Sequence, residues 1–72
     1  MSATPQDRQD TIARLLRLIN AYRSAIAIGD RDAAEHPNTA ATMNWYMTDR
    51  KYWRNQIGYL THCVLVLRLQ PE

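Results

Sequence analysis

The side chains that could carry chemistry are few in this chain of 72 residues, which contains two histidines, one cysteine and seven acidic residues. His62 and Cys63 are adjacent, and neighbouring side chains on a helix point about 100° apart, so these two cannot bind one metal ion. No Cys-x-x-Cys or His-x-x-x-His spacing occurs. Asp30 and Asp32 come without the further oxygen ligands of a calcium loop. The sequence therefore predicts no metal site and no cofactor.

Nucleophilic and acid–base catalysis also lack support in the sequence. Cys63 lies in an apolar run, where a lone cysteine is typically a small core residue. Every acidic residue except Asp49 lies near a terminus or between residues 29 and 37, so no two carboxylates share an apolar setting. We therefore predict that the protein is not an enzyme.

A basic cluster spans residues 50–54, which read Arg-Lys-Tyr-Trp-Arg. Arg50 and Arg54 lie one helical turn apart with Lys51 beside them, and such a cluster with aromatic neighbours can bind phosphates and stack on bases. Against this, Asp49 adjoins the cluster and the net charge of the chain is only +2. Nucleic-acid binding by a small dimer is therefore kept as the alternative function.

The longer of two predicted helices has two apolar faces. One stripe at heptad spacing consists of Met43, Tyr46, Met47, Trp53, Ile57, Leu60, Val64 and Leu67. A second row, nearly opposite and at intervals of seven residues, consists of Trp45, Tyr52, Tyr59 and Val66. One neighbouring helix covers only one face, and Trp and Tyr are common anchors of interfaces. The second row is therefore predicted to bind a second subunit or a partner protein.

Arg50 is the only charged residue on the first stripe. A charge at such a position needs a carboxylate, and pairing across a dimer fixes the register of the helices. Asp10 and Asp49 of a second chain are the predicted partners of Arg50.

The elements that position these residues are two helices. Thr4, Pro5 and Asp7 form a capping pattern, and an apolar stripe at spacings of three and four then continues to Ile26. Gly29 is a typical residue to end a helix. We therefore predict a first helix over residues 5–28.

The second helix follows a connector at residues 29–38, in which Pro37 disfavours helix at the residue before it. Asn38 or Thr39 is the predicted cap, and the helix is predicted to span residues 39–69. Residues 60–69 are rich in β-branched and apolar side chains and are also compatible with a strand, but the helical period before them favours continuous helix.

These lengths predict an all-α, two-helix antiparallel hairpin in which the second helix overhangs the first at Val64–Leu69. Two hairpins would cover each other's overhang and second apolar face. The sequence therefore predicts a homodimeric four-helix bundle.

Size and composition support the same interpretation. The chain is one domain, residues 1–72, with a tail at residues 1–4, and a chain this short needs a disulfide, a metal or oligomerisation for stability. One cysteine excludes an intrachain disulfide and suggests a reducing, cytoplasmic setting. The N-terminus has no signal-peptide pattern, and the charge-free runs are too short to span a bilayer.

The function predicted from the sequence is non-enzymatic protein binding. The chain is expected to dimerise and to act on a larger protein as a regulator, inhibitor or adaptor, a form common among phage and accessory bacterial proteins. The predicted contact residues are those of the second row, from Trp45 to Val66.

Overall fold

A computed structural model of the chain, described for residues 4–71, is a helical hairpin. Helix α1 spans Pro5–Glu35, a short helix α2 spans Ala40–Asn44, a π-helical turn spans Trp45–Asp49, and helix α3 spans Arg50–Leu69. The last three elements follow one another without a break and form a second rod antiparallel to α1. The predicted all-α hairpin is confirmed, and residues 60–69 are helix rather than strand. Residues 1–3 of the predicted tail lie outside the described residues.

The start of α1 follows the predicted capping pattern. The Thr4 hydroxyl accepts a hydrogen bond from the Asp7 backbone N–H at 3.1 Å, and the Asp7 carboxylate accepts one from the Thr4 N–H at 3.3 Å. Pro5 occupies the first turn, where its missing N–H costs no helical bond. These contacts satisfy backbone donors that the first turn of a helix leaves unpaired.

The prediction that Gly29 ends the first helix is wrong. The helix continues to Glu35, and no glycine in the described chain has a positive φ, so Gly29 has ordinary helical backbone. The added residues bring Ala33 into a buried position against the second rod. Glycine is compatible with a helix interior as well as with a helix end, and here the packing of residues after Gly29 favours a continuous helix.

The turn at the tip of the hairpin is closed by hydroxyl groups. Asn38 has φ 70°, the left-handed conformation that Asn tolerates, and reverses the chain after Pro37. Thr39, one of the two predicted caps, accepts a hydrogen bond from the Thr42 N–H at 3.1 Å. The Thr42 hydroxyl donates to the His36 carbonyl at 2.7 Å. These bonds connect the end of α1 to the start of α2.

The two rods have nearly equal lengths, so the predicted C-terminal overhang is absent. Helix α1 has 31 residues, and its N-terminus reaches the end of α3. The Arg8 guanidinium donates hydrogen bonds to the carbonyls of Gln70 at 2.9 Å and Pro71 at 3.3 Å. The apolar end of α3 therefore lies beside α1, and the overhang gives no argument for a dimer.

The hydrophobic core is thin. Within residues 4–71 the buried apolar residues are Ile19, Ala33, Leu60 and Val64, with Ile12, Leu15, Tyr22 and Ile57 partly buried around them. The radius of gyration is 16.3 Å and the molecule measures 52 × 17 × 16 Å. A compact chain of this length has a radius of gyration of about 11 Å. The hairpin is a long rod with one seam of contacts.

Candidate functional site

The π-helical turn changes which residues of the second rod contact α1. A π turn holds more residues than an α turn, and the Arg50 N–H bonds to the Trp45 carbonyl five residues earlier. Before and within this turn, Thr42 and Trp45 are buried or half-buried, whereas Met43, Tyr46 and Met47 are exposed. The prediction that these last three residues belong to the packed stripe is wrong.

After the π turn the predicted stripe is confirmed. Its members are buried or half-buried, namely Trp53, Ile57, Leu60, Val64 and Leu67. Trp53 packs against Tyr22 of α1, with ring centroids 4.9 Å apart and a tilted arrangement that aromatic pairs favour. The second rod thus has one apolar pattern on each side of the turn, out of phase with each other.

Trp45 lies against α1 rather than on an outward row. Its indole Nε1 donates a hydrogen bond of 2.9 Å to the Asp30 carboxylate, and its ring covers Gly29. A Cβ added to Gly29 would lie 2.7 Å from Trp45 Cε2 and closer still to two other ring atoms. The prediction that Trp45 projects away from α1 is therefore wrong, and Gly29 is required because the ring approaches so closely.

Arg50 pairs with a carboxylate of its own chain. Its Nε donates to the same Asp30 oxygen that Trp45 uses, also at 2.9 Å. Hydrogen bonds from Arg50 and then from Trp45 stabilise the carboxylate and hold the pKa of Asp30 below its usual value. The predicted partners Asp10 and Asp49 of a second chain are therefore replaced by Asp30.

Asp30 was not among the predicted site residues. It lies eleven residues after Ile19 and therefore on the same side of α1, but only if the helix continues through Gly29. Because the helix was predicted to end at Gly29, this spacing could not identify Asp30 as a residue that faces the second rod.

The rest of the predicted outward row is exposed. Tyr52, Tyr59 and Val66 are 55%, 67% and 43% exposed and lie on one side of α3 because they are spaced by seven residues. Tyr59 immediately precedes the inward Leu60, as Leu18 precedes the inward Ile19 on α1.

In an antiparallel pair of right-handed helices, residues that precede inward positions lie on the same side of the pair. The exposed Leu18 therefore lies on the side of Tyr52, Tyr59 and Val66, with the half-buried Cys63 between the helices. We call the surface formed by these five residues the tyrosine face. Between Thr11 and Ala25 of α1, the only charged residue on this face is Arg14, which precedes the half-buried Leu15.

The opposite side of the hairpin is basic. Arg68 lines a groove with Leu16 of α1, and Arg54 and Arg23 lie on the same side, at multiples of seven residues from Arg68 and Leu16. The ion pairs within residues 4–71 are those of Asp30 with Arg50 and Asp32 with His36, so these three arginines have no carboxylate within 4.0 Å there. We call this surface the arginine side.

The predicted basic cluster is divided by the structure. Arg50 is half-buried and bonded to Asp30, whereas Lys51 and Arg54 are exposed and, with Asn55, border a shallow depression on the surface. Two of the three predicted cations therefore remain available to an anionic ligand.

The groups that could bind a metal or act as catalysts lie in two separate parts of the hairpin, the end of α1 and the second half of α3. The side-chain ligand atoms of Asp32, Glu35 and His36 lie within 4.8 Å of one another, a consequence of their helical spacing, and all three residues are exposed. His62 is exposed on α3 and Cys63 is half-buried beside it. A cavity of about 200 Å³ at the tip is lined by Gly29, Trp45, Thr42 and neighbouring residues, including the exposed carboxylates Asp32 and Asp49.

The fold and these surfaces define an all-α helical hairpin with extensive exposed apolar surface. None of the family models, curated proteins or solved structures that were compared with the chain matches it. Within the described residues, the helices lack the continuous apolar length needed to cross a bilayer.

Proposed function

We propose that the protein is a non-enzymatic interaction module that dimerises and, as a dimer, binds a larger protein as a regulator, inhibitor or adaptor. The free Cys63 fits a reducing compartment, and we place the protein in the cytoplasm on that ground. In this proposal the function of the protein is to associate with other chains, and its exposed apolar side chains form the contacts.

The observation that supports self-association is the surface area of the single chain. The chain exposes 5770 Å². A compact monomer of 8.4 kDa exposes about 4,600 Å². The excess of about 1,200 Å² exceeds the ~800 Å² that each partner buries in an interface of standard size. One hairpin therefore carries enough surplus surface to form a dimer.

The nature of that surface supports the same proposal. Large exposed apolar residues occur on several sides, among them Ile28, Tyr59, Met47 and Leu69, each more than 60% exposed. Scattered apolar residues are normal on a monomer, but a thin core combined with many of them is typical of a chain that completes its core by association.

The oligomeric state tests this proposal directly. Light scattering coupled to size exclusion at micromolar concentration should give twice the 8.4 kDa chain mass. The melting temperature should rise with protein concentration, because dimerisation stabilises the folded state by mass action. A folded monomer with a concentration-independent melting temperature would overturn the proposal.

Binding of a larger protein is tested with matched baits. Tyr52→Ala removes an exposed ring of the tyrosine face, whereas Lys51→Ala removes an exposed side chain beside it. Because the partner is proposed to bind the dimer, a host protein retained by wild-type and Lys51→Ala baits should be lost from the Tyr52→Ala bait by about thirtyfold in affinity. Equal retention by all three baits would exclude any dependence of partner binding on the tyrosine face.

The alternative function is nucleic-acid binding through Lys51 and Arg54, with Arg50 as a third cation. The exposed Arg23, Arg54 and Arg68 of the arginine side favour it, because unpaired arginines bind phosphates. Such binding should weaken steeply between about 50 and 200 mM salt, whereas apolar protein binding should not. Salt-insensitive association with loss of binding only in tyrosine-face variants would exclude this alternative.

A further inference from the structure

We infer that the tyrosine face is the seam between two copies of this chain. The inference rests on the proposed self-association and adds to it the surface that the second copy covers. Its charge and the residues that form it favour this surface over the arginine side, and its area favours it over the shorter surface at the tip.

The charge distribution disfavours the other long side. A two-fold dimer brings identical surfaces together, so residue i meets residue j and j meets i, and residues near the axis meet their own copies. On the arginine side this would bring Arg23 and Arg54, which lie near the middle of the rod, close to the same residues of the second copy. Like charges brought together at an interface are strongly unfavourable. Between Thr11 and Ala25 the tyrosine face has one cation, Arg14, and can meet itself with less such repulsion.

The area of a long side matches what a stable dimer needs. A side of a rod 52 Å long and 17 Å wide projects roughly 900 Å², close to the ~800 Å² per partner of a standard interface. The exposed Met43, Tyr46 and Met47 lie within two turns at the tip and provide a much shorter surface. A dimer that buries the surplus surface of this chain therefore has to use a long side.

The residues of the tyrosine face suit a seam. Tyr52, Tyr59 and Val66 repeat every seven residues along α3, the spacing of side chains at helix–helix seams. Leu18 extends the face onto α1, so a second hairpin would contact both helices. Tyrosine rings bury a large apolar body while the hydroxyl reaches solvent or a polar partner. The result is a four-helix arrangement whose centre lies near Leu18 and Tyr59.

The first test places a charge at the centre of the face. Tyr59→Glu and Leu65→Glu both replace an exposed apolar residue of α3, 67% and 52% exposed, but Leu65 lies off the tyrosine face. Tyr59→Glu should weaken dimerisation by about thirtyfold or more, and Leu65→Glu should leave the dimeric mass unchanged. A Tyr59→Glu variant that dimerises like wild type would overturn the assignment of the seam and leave the proposed self-association intact.

A second test does not depend on the stability of a charged variant. In a Cys63→Ala background, Tyr59→Cys and Leu65→Cys are each treated with a short bismaleimide. Tyr59→Cys should give a covalent dimer, whereas Leu65→Cys should stay largely monomeric on a denaturing gel. The reverse pattern would overturn the assignment. A wild-type chain that is monomeric in solution would instead overturn the proposed function, and the seam with it.

Discussion

Substitution of the two glycines by alanine should have opposite effects on stability. Both lie inside helices with negative φ, so alanine removes the same flexibility of the unfolded chain at either position. A Cβ on Gly58 meets no atom within 4 Å, whereas a Cβ on Gly29 overlaps the Trp45 ring. The pair therefore isolates the contact between Gly29 and Trp45.

The magnitudes follow from these surroundings. Gly58→Ala should stabilise the protein by about 1 kcal/mol, the difference in helix propensity, and raise the melting temperature by roughly 4–8 °C. Gly29→Ala gains the same propensity but displaces the ring, which costs about 1–3 kcal/mol in overpacking and about 1 kcal/mol from the hydrogen bond to Asp30. Gly29→Ala should therefore destabilise by about 1–3 kcal/mol.

Thermal and urea unfolding followed by circular dichroism, at one fixed chain concentration, measures both variants. The Trp45→Ala background provides the control, since Gly29→Ala should become stabilising once the ring is absent. If Gly29→Ala stabilised the wild-type chain as much as Gly58→Ala, the close approach of Trp45 to α1 would be refuted, and the outward Trp45 predicted from sequence would be correct.

Two further predictions concern Asp30 and its partners. Arg50→Ala should lower the free energy of unfolding by about 1 kcal/mol, because a half-buried hydrogen bond to a carboxylate is lost. Lys51→Ala should change the free energy of unfolding by less than about 0.5 kcal/mol. Equal effects of the two substitutions in urea titrations would contradict the pairing of Arg50 with Asp30. Because its pKa is lowered in the folded state, Asp30 contributes stability that is present above the unfolded-state pKa of about 3.9 and is lost as the pH falls through the folded-state pKa. Melting temperatures between about pH 5 and pH 2 should therefore fall less for Asp30→Asn than for wild type, and identical pH slopes would refute this contribution.

Much of the fold is local in origin and could be predicted from the sequence. The capping pattern at Thr4 and the apolar stripe from Trp53 to Leu67 depend on residues within a few turns of one another. The end of α1 could not be predicted, because Gly29 is compatible with both a helix end and a helix interior. Its conformation is decided by Ala33 and Trp45, which are distant or lie beyond the assumed end.

The residues before Arg50 that face α1 could also not be predicted from the sequence. Two apolar patterns coexist before residue 50, one with Met43 and Met47 and one with Trp45, and both fit a helical period. The pattern that packs on α1 is the one with Trp45, which donates to Asp30 together with Arg50 from the two ends of the π turn. The exposure of Tyr52 and Tyr59 was predictable because the stripe beside them is unambiguous.

The π turn amounts to a one-residue insertion that the helix has absorbed without breaking. Deletion of a single residue between Trp45 and Arg50 would return the rod to continuous α-helix and leave Trp45 and Thr42 facing α1, because the two sides of the turn keep their phase. Conversion of the turn to α-helix without a deletion would instead rotate everything before it by about 100° relative to α3. Tyr46, seven residues before Trp53, would then take the place of Trp45 against α1, so the length of this segment decides which aromatic ring the tip of the hairpin exposes.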